Sequence, residues 1–306
     1  MAGTSLKPAV ATIWILLFAA GAIAQELQPR AYLPSPVGAT FVGLSYSRNV
    51  GGLLFDPTVP VTDAHVVADV ISLSAGQSLN VFGRSAQLLA VLPYVRADLT
   101  GTLAGAPQYR YRSGIPDPLL RFAMNIIGAP AMHRKDFVRF RQKTIIGASL
   151  SVTAPWSQYD PNLVLNLGTN RWAYKPELGI SRAFRDRWLF EGAFGAWLYT
   201  ANKQNYGNTT RTQDPLGSVQ IHVVRVLPRR IWVAFDGTFY TGGRTYVNGA
   251  PGATYQANSR LGLTVGMVLD RRQAIRAAYF QGATTRVGSD IASTSVAYQV
   301  LALTGK

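Results

Sequence analysis

The chain has no cysteine among its 306 residues. Disulfide bonds, thiolate metal sites and catalytic thiols are therefore excluded. Charged residues are scarce as well, at 15% of the chain against about 25% in ordinary soluble domains. Beyond residue 24, charges or turn residues interrupt every apolar stretch before it reaches about 18 residues, which excludes a bundle of membrane-spanning helices.

Sequence motifs of catalysis are also missing. The chain has no Gly-x-Ser-x-Gly, no His-Glu-x-x-His and no phosphate-binding Gly-Lys-Ser/Thr motif. It has three histidines, whereas a metal site needs several convergent ligands. An outer-membrane lipase would need a His followed two residues later by a Ser, but Val223 and Val224 follow His222. We therefore expect no enzyme, no metal and no cofactor, with a lipase as a minor alternative.

What the chain has in excess is positive charge, with a formal net charge of +15. Nucleic acid is a common partner for such a charge. The arginines, however, are spread among turns and alternate strand positions, and there is no basic helix, zinc knuckle or aromatic RNA-binding motif. Since net charge alone indicates only nonspecific association, we expect no nucleic-acid partner.

The first 24 residues have the pattern of an export signal. Lys7 precedes an apolar run from Ala9 to Ala20, and Ala22-Ile23-Ala24 has the small residues of a cleavage site. The alternative is an uncleaved anchor helix, because residues 8–24 carry no charge and approach the roughly 17 to 25 residues that span a membrane. We interpret residues 1–24 as a cleaved signal peptide.

The remaining sequence repeats one pattern, in which about ten residues alternate between apolar and small or polar side chains before a turn. In one example, Leu261, Leu263 and Val265 share a face opposite Gly262 and Thr264. The pattern predicts twelve strands, at 39–50, 63–75, 84–98, 116–127, 143–155, 172–183, 187–200, 215–227, 230–242, 258–269, 273–286 and 290–301.

An even number of strands lets both termini lie on the periplasmic side, as in single-chain bacterial barrels. Short turns such as Pro228-Arg229-Arg230 alternate with longer loops such as 201–214, which is the asymmetry of an outer-membrane barrel. The long basic segment 128–142 is an exception whose role the pattern leaves open. We expect an all-β fold, a transmembrane antiparallel up-and-down β-barrel over residues 39–306, preceded by an N-terminal periplasmic segment over residues 25–38. Its expected location is the bacterial outer membrane, in contact with membrane lipid and lipopolysaccharide.

Charges of both signs fall on the parity opposite the apolar one. Because twelve strands enclose more than eight and less than sixteen, the lumen is either a narrow path or a plugged one. The charges then either brace the wall or line a selective pathway. The candidate lumen residues are Asp69, Arg96, Asp98, Asp117, Arg121, Lys175, Glu177, Glu191, His222, Asp236, Arg260 and Arg276.

We hypothesise that four of these residues give the lumen a preference for anions or aromatic compounds, because arginine acts both as a charge and as a stacking surface. They are Arg96, Arg121, Arg260 and Arg276. Reversal-potential measurements on the quadruple Gln variant test this hypothesis.

Several motifs recur in a definite order along the chain: Leu92-Pro93-Tyr94, Gly114-Ile115-Pro116-Asp117-Pro118, Val152-Thr153-Ala154-Pro155, Asn166-Leu167-Gly168-Thr169-Asn170-Arg171-Trp172 and Lys175-Pro176-Glu177. From residue 93 onward this order resembles the outer-membrane transporter-like family named for phenol degradation through the meta pathway. Two departures are Thr153-Ala154-Pro155, where Pro-Thr-Gly is expected, and an end without a terminal Phe, for which Tyr298 is the nearest aromatic substitute. The resemblance implies a barrel for uptake of aromatic or hydrophobic compounds, and we expect the barrel-assembly machinery as a partner.

Two functions remain open at this point. One is a channel or transporter for a small-molecule solute, with aromatic or hydrophobic compounds among the candidates. The other is a closed barrel with a structural or adhesive role carried by outer loops such as 201–214. Single-channel conductance separates them, because a plugged barrel gives no current steps.

Overall fold

The computed structural model describes residues 28–54, 61–103, 105–163 and 166–303. The predicted signal peptide lies outside the described residues. No helix in these ranges is both long enough and apolar enough to cross a membrane.

The described residues form strands with short connections on one side and longer ones on the other. The strands are β1 (Ala39–Leu54), β2 (Val61–Val81), β3 (Arg84–Leu103), β4 (Ala106–Gly114), β5 (Leu119–Ile127), β6 (Thr144–Thr153), β7 (Ala173–Phe184), β8 (Trp188–Tyr199), β9 (Asn202–Asn205), β10 (Thr209–Gln213), β11 (Leu216–Val226), β12 (Ile231–Gly242), β13 (Thr245–Val247), β14 (Ala250–Pro251), β15 (Gln256–Val268), β16 (Gln273–Thr284) and β17 (Gly288–Leu303). One helical turn, α1 (Arg134–Phe137), lies between β5 and β6, and a 3₁₀ turn (Arg185–Arg187) joins β7 to β8.

The main sheet closes on itself as an antiparallel barrel. It contains 13 strands within the described residues, and β1 pairs with both β2 and β17 to close the ring. β4 and β5 occupy one wall position, because β3 pairs with β4 from Val95 upward and with β5 from Val91 downward. Between them, Pro116 and Pro118 lack the N–H groups that a continuous ladder would need. The wall thus has twelve positions, which confirms the predicted fold class and strand number.

The two faces of the wall differ in chemistry as the alternation predicted. On β15, the side chains of Leu261, Leu263 and Val265 are 46%, 59% and 47% exposed on the outside, whereas Thr264 is 1% exposed. Large exposed apolar side chains on the outer faces of β5–β8, β11 and β12 continue this surface around the barrel. Such an apolar band matches the hydrocarbon layer that surrounds a transmembrane barrel.

The two ends of the barrel also differ. At one end of the barrel lie the start of β1, the end of β17 and the short turns. One of these turns is Phe82-Gly83, with φ angles of 51° and 75°, which is the two-residue turn of a tight hairpin. At the other end, longer loops form a second four-stranded sheet from β9, β10, β13 and β14. Since short turns face the periplasm in outer-membrane barrels, we refer to the first end as the periplasmic end.

The periplasmic end is covered by two segments without strand structure. Residues 28–38 are joined to residues 128–143 by a hydrogen bond from the Val37 N–H to the Met132 carbonyl, 2.9 Å. The Ser85 N–H bonds the Ala129 carbonyl at 3.2 Å and ties the same segment to the β2–β3 hairpin. Ala129 and Met132 are buried. The basic segment that the sequence left unexplained is therefore a cap over the periplasmic mouth.

The described part of the N-terminal segment differs from the expected periplasmic location. The ring of Tyr32 is buried in a cluster with Ala123, Ala129 and Ile145. Ala123 and Ile145 lie on the inner faces of β5 and β6. Residues 28–38 thus fold back into the barrel, and we call them the N-terminal plug.

Candidate functional site in the barrel lumen

Strand parity places most of the predicted site residues on the inner face of the wall. Arg121 lies on the inner face of β5, and Lys175 and Glu177 lie on that of β7. Asp117 is buried just before β5 begins. The other inward residues lie on β8, β11, β12, β15 and β16: Glu191, His222, Asp236, Arg260 and Arg276.

Three predicted lumen residues, Asp69, Arg96 and Asp98, were placed wrongly. Asp69 and Arg96 are directly opposite each other on β2 and β3. Arg96 and Asp98 are exposed, whereas Ala97 between them is 0% exposed and Leu99 is 1% exposed. All three charged side chains therefore point outward.

The reason is the length of the first strands. β2 has 21 residues and β3 has 20, about twice the 9 to 11 that cross a bilayer. Their extracellular halves stand in water, where the usual soluble pattern holds and the apolar side chains face inward. Leu53, Val66 and Val95 belong to the small core that results.

A buried ion-pair network occupies the wall formed by β7, β8 and β11. The Lys175 Nζ lies 3.0 Å from Glu177 Oε2, and the two side chains are 5% and 2% exposed. Glu177 also accepts a hydrogen bond from Gln220 at 3.3 Å. The Lys175 Nζ lies 5.7 Å from the centroid of the Trp197 ring. These side chains brace one another instead of lining open space.

A second network lies next to it on β11, β12 and β15. The His222 Nδ1 is 2.7 Å from Asp236 Oδ1, and both side chains are buried. The Thr264 hydroxyl donates to Asp236 Oδ2 at 2.6 Å. Since both Asp236 oxygens are engaged, His222 is held in one orientation inside the barrel. This arrangement is unlike the His on the lipid face that a lipase would require.

The N-terminal plug is anchored to these networks. The Arg30 N–H bonds Glu191 at 2.6 Å, and the same carboxylate accepts from the Ser181 hydroxyl at 2.7 Å. The Tyr32 hydroxyl donates to Glu177 at 3.1 Å. The guanidinium of Arg121 lies 5.4 Å from the Tyr32 ring centroid. The plug therefore takes up much of the lumen's charged side.

Glycines on the wall make room for the plug. A Cβ at Gly147 or at Gly179 would collide with the Tyr32 ring. The Asn125 side-chain amide donates to the Tyr32 carbonyl at 3.1 Å and fixes the backbone there. Arg276, on the other side of the lumen, donates to Gln28. Arg121, Glu177 and Glu191 thus hold the plug in addition to bracing the wall.

The opposite side of the lumen is lined by small side chains. The inner faces of β1, β2 and β17 carry Gly, Ala and Ser at successive positions, and on β16 Ala278 lies between Arg276 and Phe280. Many of the small residues are half-buried: Ser45, Ser47, Ser72, Ser74, Ala278, Ser293, Ser295 and Ala297. We call this surface the small-residue wall. By contrast, Gln220 and Asp236 on the charged side are each 1% exposed. Accessible space inside the barrel therefore follows the small-residue wall.

Above the ion pairs, towards the extracellular end, an aromatic layer packs on the same side of the lumen, between β5, β8, β11 and β12. Trp197 and Tyr240 are buried together with Leu119 and Leu216. The Arg171 guanidinium lies 4.3 Å from the Tyr199 ring centroid. On β10, in the extracellular sheet, burial lowers the pKa of Arg211, and the nearby charge of Arg171 lowers it further.

Asp117 serves a structural purpose in this layer. Its carboxylate accepts from the Ser157 hydroxyl at 2.8 Å and from the Thr169 backbone and hydroxyl at 2.8 and 2.9 Å. These bonds fasten the β6–β7 loop to the proline break between β4 and β5. Among the described residues, no three His, Asp or Glu side chains are grouped as metal ligands.

The sequence interpretation missed the residues of the plug, above all Arg30 and Tyr32. One signal was present: Pro29, Pro34 and Pro36 interrupt the stretch before β1 and exclude a strand there. Nothing in the periodicity, however, indicated that Tyr32 would contact side chains more than 100 positions away.

Comparison with known proteins gives a family and a fold. The family model described as "Putative MetA-pathway of phenol degradation" matches residues 55–299. The structure is similar to the COG4313 outer membrane channel from Pseudomonas putida F1, with a TM-score of 0.77 and 18% identity over 90% of this chain and 100% of that one. It also matches the β domain of the Bordetella autotransporter Brka, with a TM-score of 0.50 and 12% identity over 86% and 99% of the two chains. No curated protein sequence matches the chain.

Proposed function

Because the chain belongs to the family of the phenol-degradation MetA pathway, we propose that it is an outer-membrane channel for small molecules, aromatic or hydrophobic compounds among them. Solutes pass along the small-residue wall, and the N-terminal plug sets the width of the path. The observation that carries the proposal is the difference in exposure across the lumen, since Ser45 and Ser295 are half-buried whereas Gln220 and Asp236 are almost fully buried.

The lumen chemistry is compatible with aromatic solutes. Phe280 on β16 faces the interior opposite Gly262 and is half-buried, beside the small-residue wall. Aromatic rings pack on one another in offset or edge arrangements that favour such solutes. The family's name refers to phenol degradation, and the similar Pseudomonas protein is an outer membrane channel.

Of the four arginines in the selectivity hypothesis, three remain inside the barrel. Arg96 is excluded by its outward position. Arg121 makes a cation–π contact with Tyr32, and Arg276 donates a hydrogen bond to Gln28. Arg260 donates to the Ile291 carbonyl and the Ser293 hydroxyl, each at 3.1 Å, beside the small-residue wall. Arg260 is therefore the arginine best placed to act on a passing solute.

Export and membrane insertion precede the channel's function. Residues 1–24 act as a cleaved export signal, and the barrel-assembly machinery inserts the barrel into the outer membrane, where lipopolysaccharide faces its extracellular half. No catalytic reaction is part of the proposal.

A closed barrel is the second candidate, because the plug and segment 128–143 together cover the periplasmic mouth. Single-channel recording of the mature chain in planar bilayers separates the two. Discrete current steps are expected from the channel. Their absence, with the barrel correctly inserted, would favour the closed alternative.

Solute preference is tested in the same recordings with a matched pair of anions. Benzoate and cyclohexanecarboxylate have similar size and equal charge, but only benzoate is aromatic. We expect longer current blockades with benzoate. Equal blockade times would remove the aromatic part of the proposal while leaving the channel itself intact.

A further inference from the structure

The chain's basic excess is concentrated at one end of the barrel. The periplasmic strand ends, turns and cap comprise Arg84 and residues 128–143, 182–187, 225–230 and 270–272. They contain fourteen Lys or Arg residues against three Asp. This excess of eleven accounts for most of the net charge of +15. A surface of this kind favours an anionic partner at the periplasmic end.

Two of these cations point outward from the barrel wall, towards the lipid headgroup region. Arg182 shares the outer parity of β7 with Leu178 and Ile180, and it is exposed. Arg225 shares the outer parity of β11 with Val219 and Ile221. Both lie at the periplasmic end of the apolar outer band, where lipid headgroups begin.

The two arginines flank β8 from opposite sides. Arg182 is opposite Phe190, and Arg225 is opposite Trp188. With neighbouring strands about 4.8 Å apart and a rise of about 3.3 Å per residue, their backbones are roughly 12 Å apart. Two arginine side chains across that gap can both reach one headgroup.

Aromatic rings between the arginines orient the charges. The Arg225 guanidinium lies 4.7 Å from the Trp188 ring centroid, within the range of a cation–π contact. Its planar fork of N–H groups has the geometry that suits the oxygens of a phosphate. Trp at this depth is also typical of the interface between hydrocarbon and headgroups.

No carboxylate on these three strands neutralises the pair. The two acids of β7 and β8, Glu177 and Glu191, face the lumen, and β11 has none. In the adjoining turn, Asp186 lies between Arg185 and Arg187, so the local charge remains positive.

The outward arginines at the extracellular end show the contrast. The Arg48 guanidinium lies 3.2 Å from the Asp69 carboxylate. Asp69 is also directly opposite Arg96 on β3, and Asp98 lies two residues beyond Arg96 on the same outer face. Arg48 is thus ion-paired within the protein, and Arg96 has two acids beside it on the outer face.

We propose that Arg182, Trp188 and Arg225 form a binding site for the phosphate group of an anionic phospholipid in the inner leaflet of the outer membrane. Phosphatidylglycerol is the lipid class that fits, because its headgroup carries a phosphate without a compensating amine. The site rests on the membrane orientation of the proposed function, but it does not require that the barrel conduct.

Native mass spectrometry of the mature barrel in neutral detergent tests the site, with phosphatidylglycerol and phosphatidylcholine added separately. We expect the unmodified protein to retain phosphatidylglycerol preferentially. A cationic side chain near a lipid surface contributes about fivefold in affinity, so the Arg182→Gln/Arg225→Gln variant should bind roughly 25-fold more weakly. The control is Arg48→Gln/Arg96→Gln, which removes two outward arginines at the other end and should leave retention unchanged.

Equal retention of the two lipids by the unmodified protein would overturn the proposal, as would an equal loss in both double variants. Inorganic phosphate at millimolar concentration should not displace the lipid; complete displacement would indicate a simple anion site. If the double variant fails to fold, which its electrophoretic mobility before and after heating reveals, Arg225→Gln alone should still reduce retention about fivefold. Because no current is measured, a silent channel would not affect this result.

Discussion

The two sides of the lumen follow opposite rules of construction. On β6–β8, β11 and β12, ion pairs and the N-terminal plug fill the interior, and side chains such as Gln220 and Asp236 are almost fully buried. On β1, β2, β16 and β17, many of the inward residues are Gly, Ala or Ser, and most of these are half-buried. The backbone is nearly uniform around the barrel, so it is the size of the side chains that separates the lumen into an anchored half and an accessible half.

The largest effect is expected from filling the accessible half. Ser295→Trp puts a large ring on the small-residue wall, where it should obstruct the path and reduce single-channel conductance by most of its value. Thr294→Trp is the matched control, because Thr294 is exposed on the outer face of the same strand. Planar-bilayer recording measures both. Equal conductances would mean that solutes do not follow this wall.

A severalfold increase in conductance is expected from displacing the plug. Gly179→Ala places a Cβ where the Tyr32 ring lies, and Tyr32→Ala removes the ring and its bonds to Ser149 and Glu177. Gly192→Ala is the control for the first, since its Cβ would meet nothing closer than 3.7 Å. If both test variants conduct like the unmodified chain, the plug does not limit the path.

A loss of stability is expected when the anchored half is disturbed. Glu177→Gln removes the carboxylate that pairs with Lys175 in a site where both are nearly fully buried. Breaking such a pair costs about 3 kcal/mol in the free energy of unfolding. Urea unfolding in detergent micelles, followed by tryptophan fluorescence, measures the change. A loss below about 1 kcal/mol, typical of surface pairs, would show that water screens this pair.

The smallest effect is expected at an ion pair outside the lumen. Asp69→Asn breaks the contact with Arg48, where the two side chains are 36% and 54% exposed. Exposed pairs contribute between zero and about 1 kcal/mol. The same unfolding measurement should detect little change. A loss equal to that of Glu177→Gln would contradict the distinction between buried and exposed pairs drawn here.

The alternation of residues along each strand was enough to predict which side chains face the lumen where the outer face contacts hydrocarbon. On β7 and β12 a regular alternation predicted that Lys175, Glu177 and Asp236 face inward, and the structure confirms it. The same rule failed at Asp69 and Arg96, because it assumed that the outside is hydrocarbon along the whole strand. Because β2 and β3 are about twice the length that crosses a bilayer, part of the outer face of each strand lies in water, and charged side chains can point outward there.

The plug could not be predicted in this way. Tyr32 bonds Glu177 across 145 positions of sequence, and such a contact leaves no trace in the periodicity of either segment. Gly147 and Gly179 likewise read as ordinary small residues of a polar face, although their lack of a Cβ is what admits the ring. The sequence interpretation ran one strand over 116–127, through Pro116 and Pro118, whereas β5 begins at Leu119 and the wall continues above the proline break as β4.

The position of the plug restricts the order of events during assembly. Residues 28–38 precede β1, yet Tyr32 rests on β6 and β7, and the seam between β1 and β17 joins the two extremes of the barrel sequence. Residues 28–38 can bind to an open, partly formed sheet before β1 pairs with β17. After closure they would have to thread past residues 128–143. The N-terminal plug is therefore expected to enter the lumen before β1 pairs with β17 and closes the barrel.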